Sequence, residues 1–248
     1  MRLPKNSTSK EMENKIINIL FYDPSSGFAG SAGAVVNLIR HLNRERFNPF
    51  LAIKNYGPQF EKLKGIEIIK LKNYDEPEKA SKIALFSHFI RNILPEAMKI
   101  YFVIKKKKIT FVHTNTSVMG GMAAIIASRL AGIHCICHFR GTRNLLKRER
   151  FCIRWIDRFI VLNTYAYNLF RQIIGREKVR LVFDGVDFDD FEKVEERLFR
   201  KELNLNSTAL IGLVGRIVRG KGHKEFILSA KEILRIKPNI KIVIVGDV

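Results

Sequence analysis

The chain has 248 residues, 46% of them hydrophobic and 27% charged, a balance that fits a globular fold and excludes a disordered or collagen-like one. Its 44 Lys and Arg against 24 Asp and Glu leave a net charge of +20, which attracts phosphates or anionic lipid without choosing between them. Three cysteines are too few for a disulfide framework, and Cys135 and Cys137 lack the CxxC spacing of a metal or redox site, so a reducing, cytoplasmic setting is expected.

Residues 1–14 form a polar tail without the apolar stretch of a secretory signal. The β-rich apolar run 15–22 then ends in Asp23-Pro24-Ser25-Ser26-Gly27, a loop by composition. Next, residues 34–43 carry apolar side chains at 34, 35, 38, 39 and 42, one face of a helix. Short apolar runs at 50–53, 66–71, 110–113, 135–138, 159–162 and 179–183 alternate with helical or loop stretches, which predicts a parallel α/β sheet.

Within that series, the apolar stretch 83–104 holds Phe86, Phe89, Ile90, Ile93, Leu94, Met98 and Phe102 and is followed by Lys105 to Lys108. It reads either as a membrane-surface helix or as a buried helix, broken at Pro95, with a solvated basic turn. Residues 109–128 carry no Asp, Glu, Lys or Arg, but His113, Thr114, Asn115, Thr116 and Ser117 make them too polar to span a bilayer. From 191 to 206 the chain becomes densely charged, and the domain boundary is expected there. A strand at 209–215, a helix at 224–236 and a strand at 240–246 follow as one βαβ unit, which cannot cover both faces of a parallel sheet by itself. The expected organisation is a Rossmann-like parallel-sheet domain over 15–192, a linker over 193–206 and the opening, incomplete βαβ unit of a second Rossmann-like domain over 207–248.

Three segments carry candidate chemistry. Gly27, Gly30 and Gly33 follow a strand and open a helix, where unhindered amides suit a phosphate. Their GxxGxxG spacing is not the dinucleotide fingerprint, and no acidic residue ends the next strand, so a loop that merely permits the turn is the plain alternative. Gly215 to His223 also joins strand to helix and holds Arg216, Arg219 and Lys221 among Gly220 and Gly222. Arg supplies a bidentate fork and Lys a point charge, a pairing suited to a diphosphate, although a basic solvated turn has the same composition. His138-Phe139-Arg140-Gly141-Thr142-Arg143 follows another strand to the same sheet edge. His138 is there the candidate catalytic group or else a structural histidine, and His113 is a second of the same kind.

Taken in order, these motifs resemble the retaining GT-B glycosyltransferases of family 4. The segment from Gly215 to His223, with Pro238 and the strand ending Val245-Gly246-Asp247, is similar to that family's GR-x(4)-KG…P…VGDG signature. Phe183-Asp184-Gly185-Val186-Asp187…Phe191 resembles its NGVD…F segment, and Ala29-Gly30-Ser31 its GGA or GGS loop. The likeness spans essentially the whole chain. Three positions depart from the pattern: Asp184 replaces the usual Asn, Asn115 stands where His is common, and Arg140 replaces the His before Gly141.

The resemblance implies transfer of a sugar from a nucleoside diphosphate to a glycan or lipid-linked acceptor, with no cofactor or metal. It implies that Arg216 and Lys221 bind the donor diphosphate with Gly30 across the cleft, and that the first domain is the acceptor side, where Ser31, Arg140 and Gly141 lie. The family's paired glutamates fall beyond Val248, so the chain is expected to be truncated and inactive. A non-catalytic acceptor- or membrane-binding module is the alternative. An anionic membrane surface is a candidate partner, with placement peripheral on the inner face; no nucleic acid is expected, because charge is the only argument for it.

Overall fold

The computed structural model describes residues 16–25, 30–74, 81–141, 145, 149–188, 198–205 and 208–246. The chain divides into two compact units, Met1–Val186 and Asp187–Val248.

The first unit is a seven-stranded sheet whose strands are β1 (Ile17–Asp23), β2 (Phe47–Ile53), β3 (Glu67–Lys70), β4 (Phe111–Thr114), β5 (His134–Phe139), β6 (Arg158–Val161) and β7 (Val179–Leu181). They lie in the order β3-β2-β1-β4-β5-β6-β7, and every pairing is parallel. The period-2 alternation of a strand sends neighbouring side chains of β1 to opposite faces. Leu20 and Tyr22 join one buried cluster with Ala97, Ile100 and Ile104, while Ile19 and Phe21 join another with Val35, Val36 and Ile39. Both faces of the sheet are therefore covered, as a parallel sheet requires. Around β5 and β6 a third cluster packs Cys135, Cys137 and Phe139 against Phe159 and Phe170. Burial pushes the Cys135 thiol up to about 12 and that of Cys137 higher still, so both behave as small apolar core residues.

The helices of this unit are α1 (Gly30–Arg40), α2 (Lys82–His88), α3 (Leu94–Lys106), α4 (Met122–Ala131), α5 (Glu149–Cys152) and α6 (Thr164–Ile174). Two are started by side-chain caps: Ser81 accepts from the Ala84 amide at 3.2 Å and Asn163 from that of Ala166 at 2.8 Å. α1 begins at Gly30, ahead of the apolar periodicity, and buries Ala32, Val35, Val36 and Ile39, whereas Leu38 is exposed. The buried face thus differs from the one read from sequence: Ala32 and Val36 join Val35 and Ile39 in the core, while Leu38 turns outward.

Pro95 does not break the helical stretch over 83–104. A π-helical turn, Phe89–Ile93, links α2 directly to α3, and Pro95 sits in the first turn of α3. Proline tolerates that position because it has no amide hydrogen to place, and the wider turn before it makes room for its ring.

The second unit holds α7 (Leu198–Glu202), β8 (Ala209–Val214), α8 (His223–Ile236) and β9 (Ile240–Val245). β8 and β9 pair in parallel from Ala209↔Ile240 to Val214↔Val245. Apolar side chains here remain open to solvent, with Val214 81%, Leu228 58% and Ile236 79% exposed.

Candidate functional site

In an open parallel sheet, ligands gather at the carboxyl ends of the strands where the order reverses. In the first unit that point lies between β1 and β4, and the last residue of β1 and the first residue after β4 meet there. Asp23 is 1% exposed and Asn115 fully buried; the Asn115 amide nitrogen donates to Asp23 Oδ2 at 2.8 Å and to the Ser31 carbonyl at 2.8 Å. The other Asp23 oxygen accepts from the Ser25 amide at 2.9 Å, and the Asn115 backbone amide donates to the Tyr22 carbonyl at 2.9 Å.

Arg140 completes the arrangement from the next strand. Its Nε donates to Asn115 Oδ1 at 2.6 Å, and its Nη1 reaches Asp184 Oδ2, in the loop after β7, at 2.6 Å. Both oxygen and nitrogen of the Asn115 side chain are thus used, which fixes the orientation of the amide. Buried polar atoms that are fully partnered in this way specify one geometry. The Arg140 side chain is 11% exposed and that of Asp184 39%, so a guanidinium held in place by β4 and the β7 loop stands at the sheet edge.

His138 lies beneath this guanidinium. Its Nδ1 sits 3.5 Å from Arg140 Nη2, and its ring is 5.5 Å from that of His113. Burial, and then the Arg140 charge, hold His138 down to about 3; burial first and the neighbouring His138 and Arg140 charges next hold His113 down to about 3. Both rings are neutral near pH 7. An uncharged Nδ1 facing Arg140 is an acceptor, which leaves the hydrogen on His138 Nε2, an atom without a partner among the described residues.

Beside the network is a concave surface lined by Pro24, Ser25, Lys54, Asn73, Tyr74, Thr116, Ser117 and Gly120, from the ends of β1 to β4. Lys54 is anchored in its wall, 3.2 Å from Glu96 Oε2 and 3.6 Å above the Tyr74 ring. Tyr22 donates to the other Glu96 oxygen at 2.5 Å. Among the described residues, no three His, Cys, Asp or Glu side chains gather to hold a metal.

Of the residues singled out from sequence, the structure brings Ser31, His138 and Arg140 together, with Gly141 next in the chain. Ser31 takes part through its carbonyl oxygen. Gly30 is the first residue of α1 and is exposed, and Gly33 lies within that helix; Gly27 lies outside the described residues. Arg216 and Lys221 belong to the second unit, both exposed, in a turn closed by Val218 N–H to the Arg216 carbonyl at 2.9 Å and Lys221 N–H to the Val218 carbonyl at 3.3 Å. Gly220 and Gly222 take φ of +84° and +78° on either side of Lys221, conformations that glycine adopts at little cost. The hollow beside this turn is lined by Arg219, His223 and Lys224 rather than by Arg216 or Lys221. Sequence reasoning passed over Asp23; an acidic residue closing a buried strand was the available signal.

The profile of Glycosyltransferase Family 4 matches residues 28–190. The chain belongs to glycosyltransferase family 4. The family 4 chain is 26% identical over 227 residues to the Escherichia coli UDP-Gal:alpha-D-GlcNAc-diphosphoundecaprenol alpha-1,3-galactosyltransferase, covering 83% of this chain and 56% of the relative. It is 27% identical to the Staphylococcus aureus capsular polysaccharide biosynthesis glycosyltransferase CapM, covering 80% and 56%. It therefore spans a little over half the length of these curated relatives. Among solved structures, Anabaena HepE in complex with UDP-glucose superposes with a TM-score of 0.71 at 16% identity, covering 93% of this chain and 61% of HepE. That likeness confirms the parallel α/β GT-B architecture.

Proposed function

We propose that the protein is a retaining glycosyltransferase that moves a sugar from a UDP-sugar to a glycan or lipid-linked acceptor, in the assembly of a cell-surface polysaccharide. The observation that carries this reading is the preformed Asp23–Asn115–Arg140–Asp184 network at the switch point of a family 4 chain. The named activities of the two curated relatives and the UDP-glucose bound to HepE support the donor and acceptor classes.

In this reading Arg140, Gly141 and Ser31 form the acceptor side, and the concave surface from Pro24 to Gly120 takes the acceptor itself. His138, neutral and buried, serves as a positioning residue under Arg140. On the donor side the bond between the anomeric carbon and the leaving diphosphate oxygen breaks, and the acceptor hydroxyl adds on the same face and passes its proton to the departing diphosphate oxygen. Arg216 and Lys221 stabilise the charge that develops on the departing diphosphate, and no metal or other cofactor is needed. The free, buried cysteines support a cytoplasmic setting.

The exposed apolar side chains around β8, α8 and β9 leave the turn from Arg216 to Lys221 weakly supported. The 248-residue chain by itself is accordingly proposed to bind UDP weakly and to transfer no sugar, which also favours a binding module as the second reading. UDP titration followed by NMR tests the donor assignment: weak, saturable shifts that vanish in Arg216→Ala/Lys221→Ala are expected. Equal binding by the double variant would remove both residues from the donor site.

A further inference from the structure

The helical segment of α2, the π turn and α3 carries an apolar stripe on its solvent side. Ile83 is 81% exposed, Phe86 68%, Ile90 44%, Met98 36% and Phe102 62%. Phe86 and Ile90, and again Met98 and Phe102, are four residues apart, a spacing that stacks each pair on one side of the helical segment. The opposite face supplies Ala97, Ile100 and Ile104 to the core, so the stripe is surplus to folding.

Charge selects what covers the stripe. Between 81 and 110 the only acidic residue is Glu96, which is buried against Tyr22 and Lys54. Lys82, Arg91, Lys99, Lys105, Lys106 and Lys108 are exposed on the same segment. Lys99 leans toward β3, with its Nζ 2.7 Å from the Lys70 carbonyl, and Lys105 toward the end of α4, 3.3 Å from the Ala131 carbonyl. Aromatic and aliphatic side chains along a crest with cations down both flanks match an interface where acyl chains lie beneath anionic headgroups. No helix among the described residues is long and apolar enough to cross a membrane, so the surface is one for lying on a bilayer.

Orientation adds a consequence. At one end Glu96 meets Tyr22, near the carboxyl end of β1, and at the other the Lys107 carbonyl accepts from Asn18 at its start. α3 therefore runs antiparallel to β1, and α2, which buries no residue, lies toward the edge that carries Asp23, Asn115 and Arg140. We infer that α2 and α3 dock the protein onto an anionic lipid surface through Phe86, Ile90, Met98 and Phe102, holding the carboxyl edge of the sheet close to the bilayer.

The inference rests on the helix surface and stands apart from the transferase reading, since the test uses no sugar donor. The 248-residue chain is floated with vesicles of phosphatidylcholine alone or mixed with phosphatidylglycerol, at low and high salt. Binding is expected only with the anionic lipid and is expected to weaken with salt. Phe86→Ser/Phe102→Ser leaves the charge unchanged and should lower partitioning about tenfold or more; Lys105→Glu/Lys106→Glu is an independent second variant expected to lower it comparably. Circular dichroism checks that each retains the fold. Equal recovery with both vesicle types, or unchanged binding by the folded serine variant, overturns the inference. So does loss of a dimer in light scattering by the serine variant of a protein that never floats, which would assign the stripe to a second copy of the chain.

Discussion

The two basic regions at strand ends differ in how they are held. In the first unit Arg140 is fixed by Asn115 and Asp184, and Asn115 in turn by Asp23 and the Ser31 carbonyl. In the second unit Arg216 and Lys221 project from a turn whose order rests on two backbone hydrogen bonds and two left-handed glycines. A guanidinium locked by buried partners is organised before any ligand arrives, whereas exposed cations on a glycine-rich turn become organised when an anion binds. Pre-organisation lowers the ordering cost of binding, so the first unit should recognise shape and the second mainly charge.

Asn115→Asp should break the contrast most severely. The substitution keeps the shape but sets a carboxylate oxygen against Asp23 Oδ2 and the Ser31 carbonyl, where an amide now donates to both. Leaving like charges buried together costs about 3–5 kcal/mol, which urea unfolding would register; a loss below about 1 kcal/mol would mean that the network does not order this edge.

Acid should weaken the same region by a separate route. His113 and His138 remain unprotonated in the fold to about pH 3, against 6.5 when unperturbed. The unfolded chain therefore binds more protons between those values, and stability that is complete above pH 6.5 is lost as pH falls below it. The slope approaches about 1.4 kcal/mol per pH unit for each histidine. Urea midpoints at a series of pH values should show it, and His113→Gln should flatten the curve; an identical slope in that variant would remove His113 from the account.

A small change is expected at Asp184→Asn. Asp184 is partly exposed, and its pair with Arg140 is correspondingly screened, so the loss should be about 0.5–1 kcal/mol, with Arg140 still held by Asn115. A loss as large as that of Asn115→Asp would place the anchor at β7 rather than β4.

The sheet was legible in the sequence because its strands are continuous apolar runs, the pattern of strands buried on both faces. The phase of α1 was not, since Gly30, Ala32 and Gly33 carry little hydrophobic signal and the helix begins among them. Nor was the π turn before Pro95, because a proline within an apolar helical run reads as a break by local rules. At the site, Arg140 and His138 stood out because a strand-end cluster of charged residues is a local pattern. Asn115 stood out only as a departure from the family pattern and Asp23 only as the start of a loop, because their pairing is a contact between residues 92 positions apart that the strand order creates.

Hydrogen exchange with and without UDP tests the contrast most directly. The Asn115 amide, bonded to the Tyr22 carbonyl, and the Ser25 amide, bonded to Asp23, should exchange slowly in both conditions. The amides from Arg219 to Gly222 should exchange rapidly and slow when UDP is added. Equal protection of both regions without nucleotide, or a basic turn that UDP leaves unchanged, would contradict the account.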